Sequence, residues 1–413
     1  MANTLITPTI IAKEALMQLE NNLVMGNQVH REYKKEFTGG QGSSVNIRKP
    51  VKFYTSDGAT RVNQDVEEKN TSITVDQRKH VSWKFSTQDL TLSVEEYSER
   101  YIKPAMITLA NTVDKSLFDL YSSVWNSVGT PGTTPASFAS VADAAQRLDE
   151  MAVGQDNRSM MLNPAAHYAV AGNQLTLDAV GAMGKSAYED AMVGRIAKFA
   201  TFSTQNIANH TVGAHGGTPL VNGAAQNVTY ANATGANTQS LVTDGWTAAT
   251  TGVVKAGDVI TIAGVYAVNP VPGEGSSGKT AMPYLQQFTV TADADSGATT
   301  GPATLTISPA IITSGPYQTV SAAPGDNAAI TVVGTASTAY PQNLGFHKNA
   351  FALVTVPLEM PDGAAFKARE SANGLSVRVV KDYDIDSDDD VIRLDILYGR
   401  KSIYPDLAAR LWG

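Results

Sequence analysis

The stretch SVEEYSERYIKPAMITLANTVDKSLFDLYSSVW, residues Ser93–Trp125, is the most informative part of the chain for its fold. Its apolar residues recur at steps of three and four, which places them on one face of a helix. They are Ile102, Met106, Leu109, Val113, Leu117, Leu120 and Val124. Pro104 predicts a kink or a late helix start, because proline has no amide hydrogen to donate. We therefore predict one long amphipathic helix over residues 93–125.

The N-terminal stretch is predicted to form an arm that precedes any core. A helix is expected from Thr9 to Leu23, and a basic stretch containing Arg31, Lys34 and Lys35 follows it. These three cations either contact an acidic partner or form the solvated end of a helix. The sequence leaves both interpretations open.

Two strands, Val45–Phe53 and Thr71–Phe85, are predicted between the arm and the long helix. In the second strand apolar residues alternate with polar ones; they are Ile73, Val75, Val81, Trp83 and Phe85. The connection, Tyr54–Asn70, is charged and rich in turn residues, so the two strands should form a long hairpin. A lone two-stranded ribbon is marginally stable in water. It should therefore lean on another element or another subunit, and Trp83 and Phe85 are candidate contacts.

The chain after the long helix predicts a buried strand followed by a capped helix. The strand is RSMML, Arg158–Leu162. Asn163 is a favourable N-cap and Pro164 suits the first helical position. A helix should therefore run through Tyr168.

The segment from Thr211 to Asn343 differs from the rest of the chain in charge. It holds 8 charged residues in 133, whereas the other 280 residues hold 62. Period-two runs separated by Gly and Pro clusters favour a small antiparallel sandwich or barrel that folds independently. These runs are Asp258–Val265, Gln287–Thr291, Ala303–Ser308 and Ala329–Val333. The alternative, a disordered linker, fits the regular strand spacing less well.

The composition excludes several classes of protein. The chain has no cysteine, so disulfide scaffolds and thiolate zinc sites are excluded. No window approaches the roughly 18 apolar residues of a membrane span, and the N-terminus does not read as a secretion signal. A net charge of −8 disfavours sequence-specific DNA binding. The sequence predicts a soluble globular protein that is not secreted.

The stretch GEGSSGKT, Gly273–Thr280, matches the phosphate-binding pattern G-x-x-x-x-G-K-[ST]. Such a loop needs a buried strand before it and a helix directly after it. Pro270 and Pro272 interrupt any strand upstream, and a β-like run follows Pro283. We predict an exposed hairpin loop with Lys279 at its tip, and no nucleotide site.

The stretch KDYDIDSDDD, Lys381–Asp390, resembles a calcium loop only in its first aspartates. The turn glycine is replaced by Ser387 and the bidentate glutamate by Arg393. Apolar residues alternate on both sides of Ser387–Asp390, which predicts a hairpin instead. They are Val377, Val379, Tyr383 and Ile385 before it, and Ile392, Leu394, Ile396 and Tyr398 after it.

No pattern in the chain predicts an active site. His210 and His215 have no carboxylate near them in the sequence, so a zinc site is not expected. A G-x-S-x-G elbow is absent, and without cysteine there is no thiol nucleophile. We predict no catalytic residue, no metal site and no cofactor.

Four stretches give the chain a family resemblance. They are NRSMMLNPAAHYAVAG (157–172), SAYEDAMVGRIAKFATFSTQNI (186–207), VKAGDVITIAG (254–264) and RLDILYGRKSIYPDLAARLWG (393–413). Together with the order of elements, they make the chain resemble the major capsid proteins of tailed bacteriophages. The closest likeness is to the short-tailed-phage branch, whose coat protein carries an inserted β domain.

This resemblance implies an α+β fold, the Hong Kong-type phage capsid fold with an inserted all-β barrel or sandwich. It implies an arm over residues 1–40, an extended loop over 41–89 and a spine helix of the peripheral domain over 90–128. The axial domain and the rest of the core would be 129–210 with 344–413, and the insert 211–343. The low charge of the insert departs from the family, in which charged insert loops can pair between capsomers.

The resemblance also implies a function and partners. The chain would assemble into hexamers and pentamers of an icosahedral head around double-stranded DNA, without sequence-specific DNA binding and without a membrane. A separate scaffolding protein and a portal protein would be its partners, and assembly would take place in the bacterial cytoplasm. Arg31, Lys34, Lys35, Trp83 and Phe85 are the candidate assembly contacts. The alternatives are a β-rich adhesion or decoration protein and a nucleotide-binding enzyme.

Overall fold

A computed structural model describes residues 8–33, 44–53, 55–56, 58–63, 66, 69–86, 98–177, 191, 193–229, 237–271, 279–364, 366–386 and 389–412. The α-helices in these ranges are α1 (Pro8–Asn22), α2 (Met25–Gln28), α3 (Lys103–Phe118), α4 (Phe138–Glu150) and α5 (Pro164–Leu177). A π-helical turn, Ser98–Ile102, precedes α3, and a 3₁₀ helix, Asp119–Ser123, follows it. Shorter 3₁₀ turns lie at Lys348–Ala350 and Pro405–Leu407.

Twenty strands are found in the described ranges. In chain order they are β1 (Ser44–Lys49), β2 (Lys69–Ser86), β3 (Ser127–Val128), β4 (Arg158–Leu162), β5 (Arg195–Ile196), β6 (Phe199–Ser203), β7 (Asn209–Thr211), β8 (Gly217–Val221), β9 (Gln239–Trp246), β10 (Val259–Val268), β11 (Ala281–Val290), β12 (Ala303–Ser308), β13 (Ile330–Val332), β14 (Ala339–Pro341), β15 (Asn343–His347), β16 (Phe351–Thr355), β17 (Phe366–Ala372), β18 (Leu375–Asp384), β19 (Asp389–Ser402) and β20 (Ala408–Leu411). With the helices they make the chain α+β, as predicted.

The chain divides into two compact units. The first contains the described residues of Met1–Asn46, Ser72–Phe118 and Phe351–Ile403. Its sheet has the order β1-β2-β19-β18-β17, with β16 also paired to β19. Helix α1 packs on α3 and on β17 and β18. The α1 prediction, Thr9–Leu23, is therefore confirmed to within one residue at each end.

The predicted long helix is shorter than expected. Its apolar face is buried as predicted from Ile102 to Leu117. Pro104 lies at the second position of α3, directly after the π-helical turn, and residues 93–97 of the predicted helix lie outside the described residues. The α-helix ends at Phe118, whereas the prediction continued to Trp125. The hydroxyls of Ser122 and Ser123 donate to carbonyls three residues earlier, at 3.2 and 2.8 Å. Such local bonds compete with the α-helical ladder and favour a 3₁₀ ending.

The predicted hairpin is confirmed, and the structure identifies what supports it. Strand β1 pairs with β2, and β2 pairs along its length with β19, from Ser86 with Asp389 to Val75 with Gly399. Hydrogen bonds to a third strand supply the stability that a two-stranded ribbon lacks. The supporting element is therefore the chain's own C-terminal hairpin.

The second unit contains the described residues of Ile47–Thr71, Asp119–Ala350 and Tyr404–Gly413. One sheet has the order β3-β20-β15-β4-β6-β5, and the strand predicted at Arg158–Leu162 is fully buried within it. Asn163 caps α5 as predicted, because its Oδ1 accepts a bond from the Ala166 amide at 3.0 Å. Helix α5 continues through Tyr168 to Leu177.

The low-charge segment builds its own sheet within the second unit. That sheet has the order β13-β10-β11-β12-β9-β8, and every two neighbouring strands in it are antiparallel. A cluster of buried apolar residues fills it, and every member lies between Val212 and Tyr340. The β content of the segment agrees with the prediction. Its independence as a domain, and the residue boundaries of the capsid regions, stay predictions.

The GEGSSGKT stretch lies between two antiparallel strands. Strand β10 ends at Val268, before Pro270, and β11 begins at Ala281; residues 272–278 lie outside the described residues. No helix follows the motif, so a phosphate loop is contradicted. The predicted place of Lys279 is wrong: it lies beside the start of β11, and its Nζ donates to the Gln318 carbonyl at 3.1 Å. Burial, together with the charge of Lys52, lowers the pKa of Lys279 to about 8.

The aspartate-rich stretch is a hairpin, as predicted. Strands β18 and β19 pair up to Asp384 with Asp389, and the turn residues 387 and 388 lie outside the described residues. The predicted apolar face does not reach the end of the hairpin. Tyr383 is 50% exposed and Ile385 is 81% exposed.

Candidate functional site

Arg31 lies on a segment that is fixed to the first unit by backbone bonds. The amide of His30 donates to the Phe351 carbonyl at 3.1 Å, and the Leu353 amide donates to the His30 carbonyl at 3.0 Å. The Arg31 guanidinium donates to the Asn27 side chain at 3.2 Å. Burial lowers the pKa of Arg31, and Glu20 acts against that shift. Lys34 and Lys35 lie outside the described residues, so an acidic-partner contact at these three cations stays a prediction.

Trp83 and Phe85 both lie on β2 at the open end of the ribbon. Trp83 pairs with Ile392, and Phe85 pairs with Asp390 through the backbone. The Trp83 indole is half-buried, and its Nε1 is enclosed without a hydrogen-bond partner among the described residues. An enclosed indole N–H normally has an acceptor, so this atom is notable. Their role as assembly contacts stays a prediction.

A buried carboxylate joins the arm to helix α3. Helix α2 has no side-chain cap of its own at Val24. Asp114 of α3 supplies one instead, since its two oxygens accept from the Val24 amide at 2.6 Å and the Gly26 amide at 2.9 Å. Burial raises the pKa of Asp114 to about 6, although the amides of residues 24 to 26 favour the charged form. Two orphan amides at the start of α2 are thus satisfied by a residue 88 to 90 positions later.

A second buried polar group lies in the second unit, and we call it the Arg410 network. It contains Tyr121, His210, Asp258, Gln342 and Arg410. The Tyr121 hydroxyl bonds to His210 Nδ1 at 2.9 Å, and His210 Nε2 bonds to Asp258 Oδ1 at 2.7 Å. The sequence interpretation that His210 has no carboxylate nearby is therefore wrong. Asp258 lies 48 residues further along the chain, and only the fold brings it to the imidazole.

Arg410 itself is completely buried and joins the low-charge segment to the strands around it. Its guanidinium donates to the Gly257 carbonyl at 2.6 Å and to Thr289 Oγ1 at 3.3 Å, and it lies over the Tyr121 ring. Burial lowers the pKa of Arg410 to about 10, so it stays charged at neutral pH. A tyrosine, a histidine and an aspartate in a row resemble a proton relay. Here His210, Asp258, Gln342 and Arg410 are buried and Tyr121 is half-buried. Their hydrogen bonds join the low-charge segment to β20.

A shallow groove of about 560 Å³ lies beside α4. Three small side chains, Ala142, Ala145 and Ala197, line it together with Asp149 and Lys198. Burial would raise the pKa of Asp149, but bonds from Lys198 and Arg158 outweigh it and hold that pKa below its usual value. Within this groove, the Lys198 ammonium and the Asp149 carboxylate are paired with each other at 3.0 Å.

The described part of the chain contains no group of three His, Asp or Glu side chains placed as metal ligands. Among the same residues, no helix combines the length and apolar character needed to cross a membrane. The Asp114 bonds fix the arm to α3, and the Arg410 network fixes the low-charge segment to β20.

Comparison with known proteins assigns the chain to a class. The family model described as P22 coat protein, gene protein 5, matches residues 1–413. A major capsid protein of Acyrthosiphon pisum secondary endosymbiont phage 1 is 25% identical over 293 residues, which is 70% of this chain and 68% of the relative.

Two solved structures are similar over most of their length. One, from Mycobacterium phage Che8, is 14% identical with a TM-score of 0.48 and covers 94% of this chain and 90% of its own. The other, the capsid structure of the cyanophage P-SCSP1u, is 12% identical with a TM-score of 0.42 and covers 90% and 84%.

The family match over the whole chain makes this protein a major capsid protein of a bacteriophage, a component of the virion shell built from copies of itself. Within that class, the chain belongs to the P22 coat protein family. The predicted capsid class and function are confirmed.

Proposed function

We propose that the protein assembles into the hexamers and pentamers of an icosahedral head that encloses double-stranded DNA. The observation that carries this proposal is the family match over all 413 residues, because a coat protein acts by self-association. The proposal includes a purely structural role without catalysis. The enclosed, hydrogen-bonded state of the Arg410 network supports that part.

We assign the observed helices and strands to the capsid regions expected from the sequence. Helices α1 and α2 are the arm over residues 1–40, the β1–β2 ribbon is the extended loop over 41–89, and α3 is the spine helix within 90–128. Residues 129–210 and 344–413 form the axial domain and the rest of the core. The low-charge sheet belongs to the insert over 211–343, and its separate apolar cluster supports that assignment.

In the proposed mechanism of assembly, many individually weak contacts between neighbouring subunits together stabilise the shell. Each subunit in a closed shell binds several neighbours at once, so the effective concentration multiplies weak affinities. The ribbon is the proposed reaching element, because residues 69–74 of β2 extend beyond its pairing with β19. We propose that Trp83 and Phe85, on the part of β2 that pairs with β19, contact a neighbour, and that Arg31, Lys34 and Lys35 contact an acidic partner.

A separate scaffolding protein and a portal protein are the proposed partners, and the host cytoplasm is the proposed place of assembly. The net charge of −8 suits a container, because a strongly basic shell would hold phosphate tightly and hinder DNA movement. We propose no sequence-specific contact with the packaged DNA.

Electron microscopy and sedimentation of the purified protein, with and without its scaffolding protein, test this proposal. Closed shells or curved sheets of capsomers are expected. Discrete monomers or small rings under both conditions would contradict it. A β-rich adhesion or decoration protein is the alternative, and it would bind cells or preformed shells without making shells itself.

A further inference from the structure

One face of the sheet in the first unit carries a gradient of charge along its strands. Residues paired directly across neighbouring strands lie on the same face of a sheet. One row across β17, β18, β19 and β2 is Arg369, Arg378, Asp395 and His80, and the next row is Lys367, Val380, Arg393 and Ser82. This end of the face, which we call the basic end, therefore holds four cations and one carboxylate in its two rows.

The single carboxylate of the basic end is fully buried beneath its cations. Asp395 accepts from Arg378 at 2.6 Å and from Arg393 at 2.8 Å, and Arg78 lies 3.6 Å from it. Burial would raise the pKa of Asp395, but the bonds and charges of Arg378 and Arg393 outweigh it and hold that pKa below its usual value. Asp362 also lies 3.9 Å from Lys367, and the cations of this face donate to backbone carbonyls of residues 358–362. The five cations Arg78, Lys367, Arg369, Arg378 and Arg393 still outnumber the two carboxylates Asp362 and Asp395, so the surface keeps an excess of positive charge.

Further along the same face the charge reverses. The next rows are Asp382, Val391 and Lys84, and then Asp384, Asp389 and Ser86. The hairpin continues to Asp386, and Asp382, Asp384 and Asp386 are all exposed. Tyr383 and Ile385, at 50% and 81% exposure, lie between them. We call residues 382–386 the acidic tip.

We propose that the acidic tip of one subunit docks on the basic end of a second copy of this chain. The tip and the basic end belong to one continuous hairpin, so a single copy cannot bring them together without breaking its sheet. Between copies their charges are complementary, which steers and orients association. The exposed Tyr383 and Ile385 supply apolar area that charged contacts alone lack. This inference rests on the self-assembly of the chain into a shell.

Reversal of charge on either side tests the contact. Asp382→Lys with Asp386→Lys reverses the tip, and Lys367→Glu with Arg369→Glu reverses the basic end. Each pair of changes should lower the yield of shells in sedimentation and electron microscopy at least about tenfold, because the weakened contact recurs throughout the shell. The variant with all four changes should recover most of the wild-type yield, because both sides are reversed together.

Two controls separate this contact from general effects of charge and folding. Asp382→Glu with Asp386→Glu keeps the tip charge and should assemble normally. Asp143→Lys with Asp156→Lys makes the same change of net charge on exposed acids of the second unit and should also assemble normally. Circular dichroism of each variant reports whether it folds. If the fourfold variant does not fold, an equimolar mixture of the two reversed proteins should recover shells that neither forms alone.

The proposal is overturned if either reversed protein, correctly folded, assembles like the wild type. It is also overturned if the fourfold variant and the mixture assemble no better than the separate reversals, since the tip would then bind a different protein, such as a scaffold. A wild-type protein that forms no shells would contradict the proposed function instead, so the two failures are distinguishable.

Discussion

Asp114 is a buried carboxylate on an otherwise apolar helix face, and its partners are backbone amides of the arm. The sequence shows an aspartate beside Val113 but not the amides of Val24 and Gly26 that it accepts from. Such a joint depends on a contact between residues far apart in the chain. The apolar periodicity predicted the helix, and only the folded chain reveals this role for one residue in it.

The stability contributed through Asp114 should fall as pH rises. Its pKa is about 6 in the folded protein and 3.8 in the reference state, so the native state binds more protons between these values. The free energy of unfolding should therefore decrease from pH 4 to pH 7, by at most about 3 kcal/mol from this group. Urea titrations across that range, compared with Asp114→Asn, measure it. Parallel pH profiles for the two proteins would contradict the prediction.

Arg410 should be among the most sensitive positions in the second unit. Arg410→Ala removes the donor to the Gly257 carbonyl and the positive charge that interacts with the buried Asp258, at a cost of about 3–5 kcal/mol. Thermal unfolding followed by circular dichroism measures the loss. The control is Lys401→Ala, an exposed position on β19 where a change within about 0.5 kcal/mol is expected. Equal shifts in both variants would be inconsistent with a role for the Arg410 network.

At the level of elements, the confirmed predictions rest on residue patterns that follow directly from strand and helix geometry. Alternation placed the β2 and β18–β19 strands, and the Asn163-Pro164 signal placed the start of α5. The prediction that was wrong concerns the end of a helix. The α3 helix ends at Phe118, and the Ser122 and Ser123 hydroxyls that follow it donate to carbonyls three residues earlier. Such local bonds favour a 3₁₀ ending, and the spacing of apolar residues does not predict them.

Gly399 is required where β19 meets β2. A Cβ at this position would lie 2.3 Å from the Thr74 carbonyl oxygen, at the point where the pairing register shifts. Gly399→Ala should destabilise the first unit by about 1–3 kcal/mol through overpacking against a fixed strand. Gly172→Ala is the matched control: it lies on α5 with open space around it, and there alanine should stabilise by about 0.5–1 kcal/mol. Chemical denaturation measures both, and a neutral Gly399→Ala would be evidence against the tight approach.

At the scale of the whole molecule, the low-charge segment, which is the proposed insert (residues 211–343), should fold without the rest of the chain. The rest of the chain should be less stable without that segment. The apolar cluster of the insert lies entirely within its own residues, so an isolated 211–343 fragment is expected to fold cooperatively. The chain without that segment would keep Arg410 but lose Gly257 and Asp258, its buried partners. It should therefore be markedly less stable than the full chain. Circular dichroism melting of both fragments tests this asymmetry, and an unfolded insert fragment would refute it.

The sequence by itself determined the α+β class, the α3 helix, the ribbon, the low-charge β segment and the capsid family. Each of these depends on local periodicity, charge composition or the order of motifs, and these properties can be seen directly in residues that are close together in the chain. Only the tertiary structure decided that β19 supports the ribbon, that Asp114 caps the arm and that His210 meets Asp258. It also decided that Lys279 lies beside a strand rather than at a loop tip. These contacts join residues tens to hundreds of positions apart, and their partners are set by packing and hydrogen-bond satisfaction over the folded chain, which no local pattern encodes.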